Sequence, residues 1–325
     1  MMMRTPSLYL MTVFIWGSTF FAIKLQLGTV APEVSVAYRF ALAAAILLLW
    51  CWLRKLPMRF SLQQHLWILA QGLTLFGLNY MLVYWASKDL TSGLIAVVFS
   101  TIVLMNIANA ALFFGKRPTP SVLAGALFGL MGIGLVFLPE FSQLDADGTA
   151  VQGMLLSLLG TLVASIGNMI STRNQQMRLP VVQTNAYGMV YGALALGLIA
   201  LAQGQPFSYE LSWRYTGSLL YLALFGSVLA FGCFLTLLGR IGADRAAYTM
   251  VLFPIVALGV STLFEGYQWT PEALLGVALV FSGNLLILMP RAQLARLRQY
   301  LTAPRHGLGA NACHKQHGCA GKSPE

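Results

Sequence analysis

The stretch Leu112-Phe113-Phe114-Gly115-Lys116-Arg117-Pro118-Thr119-Pro120 has a counterpart, Leu263-Phe264-Glu265-Gly266-Tyr267-Gln268-Trp269-Thr270-Pro271, at an offset of 151 residues. The register continues without a gap, setting Leu123 on Leu274, Gly125 on Gly276, Gly132 on Gly283 and Pro139 on Pro290. Apolar stretches often resemble one another by composition alone. Coincident Thr-Pro pairs, glycines and a terminal proline at one offset point instead to an internal repeat. In each copy a Gly/Pro turn separates two apolar runs, so each copy reads as a pair of consecutive helices.

A helix needs about 20 mostly apolar residues to cross the hydrocarbon core of a bilayer. Runs of that kind occur at 8–26, 34–53, 66–85, 92–114, 121–138, 152–172, 181–202, 216–238, 246–264 and 272–289. The sequence therefore predicts an all-α membrane protein of ten transmembrane helices. The offset divides them into five-helix repeats, residues 1–150 and 151–290, followed by a basic cytoplasmic tail at 291–325 that is expected to be disordered. Five is odd, so the two halves enter the membrane in opposite senses. An inverted repeat of this kind goes with alternating access to a site between the halves.

Composition agrees. Of the 325 residues, 58% are hydrophobic and 9% charged, with mean hydropathy +0.72, against roughly 25% charged in soluble proteins. A net charge of +10 would suggest nucleic acid in a soluble domain, but the basic residues do not gather on one face. Instead they occupy alternate connections: Arg4; Arg54, Lys55 and Arg59; Lys116 and Arg117; Arg173 and Arg178; Arg240 and Arg245; then the tail. The intervening loops keep only Lys88 and Arg214. Basic loops face the cytoplasm, which places both termini inside and calls for an even number of spans. The apolar run from Leu8 is too long for a signal-peptide core, and no cleavage site follows it.

At the residue level the chain resembles the EamA-type family of the drug/metabolite transporter superfamily. The resemblance rests on Phe14-Ile15-Trp16-Gly17-Ser18-Thr19-Phe20-Phe21 in the first helix, Arg39-Phe40 in the second, and the glycine-bearing turns before the fifth and tenth. It extends to about Pro290. It implies a ten-helix bacterial inner-membrane carrier that exports metabolites or amino acids, with a cavity formed by helices 1, 3, 4, 6, 8 and 9. One departure is Gly115-Lys116, where the family commonly has Gly-Glu, so no role for that glutamate carries over.

Chemistry-bearing residues are sparse. No GxxxxGK[ST] loop or other cofactor motif occurs. All four histidines, His65 among them, fall outside the expected spans, so no His-based catalytic or metal site assembles within the membrane. A transporter is thus favoured over a membrane-embedded enzyme acting on a lipid-linked substrate. The candidate substrate-binding residues are the polar and aromatic side chains near mid-span: Trp16, Asn79, Tyr80, Tyr84, Asn106, Asn168, Tyr187, Tyr191 and Tyr248. Tyr80 and Tyr84, four apart, share a helical face. Lys24 and Arg39 lie inside helices toward the outer end. They are expected either to snorkel toward headgroups or pair with Glu33, or to act as a gate or anchor. Pro254 is a candidate hinge. The basic stretch from Arg291 suits anionic lipid, and the tract Cys313-His314 to Cys319 matches no standard zinc module.

Overall fold

The computed structural model describes residues 5–115, 120–138, 148–241 and 249–288. Their regular structure is all helical, with no strand among them. The tail lies outside the described residues.

Local sequence sets the helix ends. Helix α1 spans Thr5–Lys24 and α2 spans Pro32–Leu53, the latter opening on proline at its first position with Glu33 in its first turn, both favourable there. Ser61 and Gln64 form a reciprocal capping box that starts α3, Leu62–Asp89. Thr91 caps α4, Ser92–Phe114, which ends on Gly115 at φ 67°. Gly266 of the repeat copy sits at φ 69°. Both glycines occupy the left-handed region that a side chain disfavours, so the turn seen twice in the sequence is one conformation used twice.

Next come α5 (Pro120–Val136), α6 (Thr149–Gln176) and α7 (Val181–Ala202). Ser212 caps α8, which runs from Trp213–Tyr221 through a π-helical stretch, Leu222–Leu229, into Ala230–Ile241. A matching π-helical stretch, Leu73–Leu78, interrupts α3. The last helices are α9 (Thr249–Phe264), with Pro254 inside it, and α10 (Pro271–Leu288).

Among the described residues, seven helices are long and apolar enough to cross a membrane: α1 to α4, α6, α7 and α8 over Trp213–Phe234. The other three contain shorter apolar segments, Leu123–Val136, Thr249–Phe264 and Pro271–Leu286, and each of those helices abuts a stretch outside the described residues. Because of its capping box, α3 begins at Leu62 and not near residue 66. His65, expected outside the spans, therefore belongs to a membrane-length helix.

Packing joins early helices to late ones. The most extensive pairings are α3 with α6, α5 with α10 and α2 with α7, followed by α3 with α7 and α1 with α8 and α9. Between α5 and α10 the backbones nearly touch. A Cβ on Gly132 would stand 2.5 Å from the Gly276 carbonyl oxygen, and one on Gly276 would stand 2.5 Å from that of Gly132. In lipid, such backbone proximity supplies the dispersion contact that no hydrophobic effect provides.

Candidate functional site

Near mid-helix, α1, α3, α4, α6, α8 and α9 enclose a cavity of about 100 Å³. From α1 it receives Trp16, Thr19, Phe20 and Ile23; from α3, Leu75, Asn79, Tyr80 and Val83. Phe99 and Ile102 come from α4, Ala164 and Asn168 from α6, Phe231 and Phe234 from α8, and Met250 and Phe253 from α9. None of these side chains is ionisable near neutral pH.

The walls are mainly aromatic and held by mutual ring contacts. Trp16 lies 5.4 Å from Phe231 and 5.2 Å from Phe234. Phe20 stacks on Phe253 at 5.6 Å, and Phe76 links Phe231 to Phe40 behind the wall. Polar groups interrupt this surface at few points, and most of their donors are used within the protein. The Trp16 indole N–H donates to the Gly226 carbonyl (3.3 Å), Asn168 Nδ2 to Asn106 Oδ1 (3.2 Å), Asn79 Nδ2 to the Leu75 carbonyl (3.2 Å), and Thr19 to the Trp16 carbonyl (2.7 Å). Asn79 Oδ1 is buried with no hydrogen-bond partner. The cavity wall thus offers π faces, one free acceptor at Asn79 Oδ1 and the Tyr80 hydroxyl.

The two π-helical stretches flank this region. Asn79 follows the one in α3 directly, and the one in α8 presents Gly226 to Trp16 and Ser227 to Arg39. The wider π turn alters side-chain register and is often found at functional sites. Hydropathy reading misses these stretches. The available signal is the pentad Leu73-Thr74-Leu75-Phe76-Gly77, repeated as Leu222-Ala223-Leu224-Phe225-Gly226.

Trp16, Asn79, Tyr80 and Asn168 line the cavity, and Asn106 stands behind Asn168 as its hydrogen-bond partner. The other candidates sit elsewhere. Tyr84 shares a face with Tyr80 but lies one turn on, fully buried, donating to Gln26 Oε1 at 2.5 Å. Tyr187 and Tyr191 lie in the first half of α7, against the α2–α3 connection and the first turn of α3. The Tyr187 hydroxyl donates to the Met58 carbonyl, and Tyr191 bonds His65 at 2.8 Å. Tyr248 lies outside the described residues.

The two helix-borne charges depart from expectation. Lys24 pairs with Glu265, at 3.2 Å, and not with Glu33, which accepts from the Trp85 indole at 2.7 Å. Glu265 also accepts from the Ser92 backbone N–H and hydroxyl, tying α1 and the end of α9 to the start of α4. Arg39 does not snorkel: it is 1% exposed and points into the bundle. Its Nε donates to Ser227 Oγ (3.1 Å), its Cζ stands 4.4 Å from the centroid of Tyr80, and Nη1 has no hydrogen-bond partner. No carboxylate pairs with it among the described residues. Withdrawing an ion from water costs several kcal/mol, whereas a desolvated cation–π contact returns about 2 kcal/mol. The charge is therefore only partly compensated within the protein.

At the Lys24–Glu265 end a wider cleft of about 620 Å³ is lined by Lys24, Lys88, Arg214 and Glu265, among others. Three cations stand there against one carboxylate.

Comparison with known proteins agrees with this architecture. The model of the EamA-like transporter family matches the chain twice, over residues 4–138 and 151–289. Protein PagO of Salmonella typhimurium is 22% identical, covering 87% of this chain and 92% of its own length. A probable amino-acid metabolite efflux pump of Escherichia coli is 26% identical, covering 85% and 92%. The uncharacterized inner membrane transporter YedA of Escherichia coli is 28% identical, covering 78% and 80%. One solved crystal structure superposes with a TM-score of 0.65 over 90% of this chain and 98% of that one, at 17% identity, a likeness that speaks to the fold alone.

Proposed function

Since the chain belongs to the EamA-like transporter family, we propose that it is a secondary carrier exporting a small metabolite or amino acid across the bacterial inner membrane by alternating access. In this reading it has ten transmembrane helices in two inverted halves, with both termini in the cytoplasm.

The observation that carries the reading is the aromatic cavity at mid-helix. Three helices of each half contribute to its walls, α1, α3 and α4 of one and α6, α8 and α9 of the other. A site at the seam of two halves changes its exposure when one half tilts against the other. Three further features support the two-half arrangement. The family model matches twice. The π-helical stretch of α3 recurs in α8. The packing also has an internal correspondence, since α1 against α8 and α9 matches α6 against α3 and α4.

Trp16, Tyr80 and the phenylalanines would accept a planar or apolar body. Asn79 Oδ1 would accept an N–H from the solute, and Asn106 would hold Asn168 in place. The Lys24–Glu265 pair, with Glu265 on Ser92, would latch one mouth, and Pro254 would give α9 a bend to work about. The name of the Escherichia coli efflux pump and the free acceptor at Asn79 in the cavity both favour amino acids or their derivatives as the solute class.

Counterflow in proteoliposomes with a panel of amino acids and metabolites, with and without a pH gradient, tests transport. Exchange of at least one solute is expected, and absence of exchange across the panel refutes the reading. Reporter fusions should place the 139–151 connection outside the cell and the 54–65 connection inside. The reverse pattern refutes the topology.

A further inference from the structure

We propose that Arg39 is the subsite for a carboxylate on the transported solute, so that the carrier selects acids and zwitterions over amines that lack the acid group. This rests on reading the cavity as the transport site, and goes further by naming the group that the solute must carry.

The argument begins with charge. A guanidinium stays protonated in any protein environment, and Arg39 is 1% exposed. The nearby carboxylates are committed elsewhere: Glu33 accepts from Trp85, and Glu265 binds Lys24 and Ser92. Arg39 is left with hydroxyl groups, Ser227 and Tyr84, and the faces of Tyr80 and Phe40, none of them a counter-charge. A charge kept inside a membrane helix bundle with no carboxylate partner among the described residues points to a ligand path, and a carboxylate matches the planar geometry of guanidinium.

The second step is position. Tyr80 lines the cavity with Arg39 directly behind its ring, 4.4 Å from the centroid. Thr19, another cavity residue, lies beside the guanidinium. A Cβ placed on Gly226 would meet Thr19 Cγ2 at 2.8 Å and Arg39 Nη2 at 3.4 Å. Tyr80 therefore separates the charge from the cavity, and a rotation of that ring joins them.

The third step is the donor inventory. Trp16 and Thr19 spend their donors inside the protein, and Asn79 and Asn168 each spend one of their two amide hydrogens there. An anionic group entering the cavity finds the Tyr80 hydroxyl and, behind it, the unpartnered Nη1 of Arg39. An ammonium on the same solute finds Asn79 Oδ1. The excess of cations in the cleft at Lys24, Lys88 and Arg214 suits the same sign of ligand group.

The test uses the full chain purified in detergent and three solutes of one shape: benzoate, benzamide and benzylamine. Benzoate is expected to raise the thermal unfolding midpoint and to bind at least tenfold more tightly than benzamide or benzylamine. Arg39→Gln should abolish the preference, and Arg39→Lys should keep part of it. Equal binding of all three by the wild-type chain, or an unchanged preference in Arg39→Gln, overturns the proposal. Should Arg39→Gln fail to fold, the wild-type comparison of benzoate with benzamide still decides. Counterflow with the same solutes separates the two readings. Benzoate preference without flux keeps the subsite and removes transport. Flux that is indifferent to the acid group and to Arg39→Gln removes the subsite and keeps transport.

Discussion

The indole N–H of Trp16 reaches across 210 residues of sequence to donate to the carbonyl of Gly226, at 3.3 Å. The bond fastens α1 to the π-helical stretch of α8, and the Trp16 ring meets Phe231 and Phe234 on the same helix. Trp16→Phe keeps a ring in the wall but leaves the buried carbonyl without this donor. A stability loss of about 1–3 kcal/mol is expected, with weaker solute binding. Thermal unfolding and counterflow on one preparation check both.

The α5–α10 seam makes a sharper stability prediction. Gly276→Ala would set a Cβ 2.5 Å from the Gly132 carbonyl oxygen, and rigid backbone cannot yield as a side-chain tip would. Overpacking of this kind costs about 1–3 kcal/mol or more. Gly129→Ala, on the same helix as Gly132, meets nothing within 4 Å and should leave stability unchanged. Comparable melting shifts in the two variants would contradict a backbone contact at this seam.

Helix positions, the repeated glycine turn and much of the cavity wall were legible in the sequence, because each depends on local hydropathy or local backbone chemistry. Trp16, Asn79, Tyr80 and Asn168 stood out as polar or amphipathic groups in apolar runs. Depth was harder to read. Tyr84 shares a face with Tyr80, but periodicity gives direction around a helix and not the height of the cavity along it. Tyr187 and Tyr191 lie away from the cavity for the same reason: α7 presents them to Met58 of the α2–α3 connection and to His65 in the first turn of α3. The partners of Lys24 and Arg39 could not be read, since Glu265 and Ser227 are distant in sequence. The aromatic wall supplied by Phe99, Phe231, Phe234 and Phe253 was hidden because phenylalanine in a membrane helix is unremarkable by composition.

Glu265 carries two tasks, and one substitution separates them. Glu265→Gln removes the ion pair with Lys24 while keeping an oxygen to accept from Ser92. Glu265→Ala removes both. A hydrogen bond to a charged group contributes about 1.5–3 kcal/mol, so the alanine variant should be the less stable. If the pair latches one mouth, Glu265→Gln should also expose that end more often. Labelling of a cysteine introduced at Lys88, in the adjoining cleft, should then be faster than in the parent. Unchanged labelling would remove the latch and leave Glu265 a structural cap.

Tyr80 and Tyr84 provide the test that best separates site from scaffold. Tyr80 lines the cavity and lies over Arg39, whereas Tyr84 is fully buried and bonded to Gln26. Tyr84→Phe removes one hydroxyl and leaves Gln26 Oε1 without its donor, for a stability loss of about 1–3 kcal/mol. Transport by the molecules that remain folded should be near normal. Tyr80→Ala removes a cavity wall and the cation–π face together, so flux should fall at least tenfold even where insertion into the membrane is normal. Counterflow rates normalised to folded protein check the contrast. Loss of flux in Tyr84→Phe with little effect in Tyr80→Ala would move the transport path to the Gln26 side of α3.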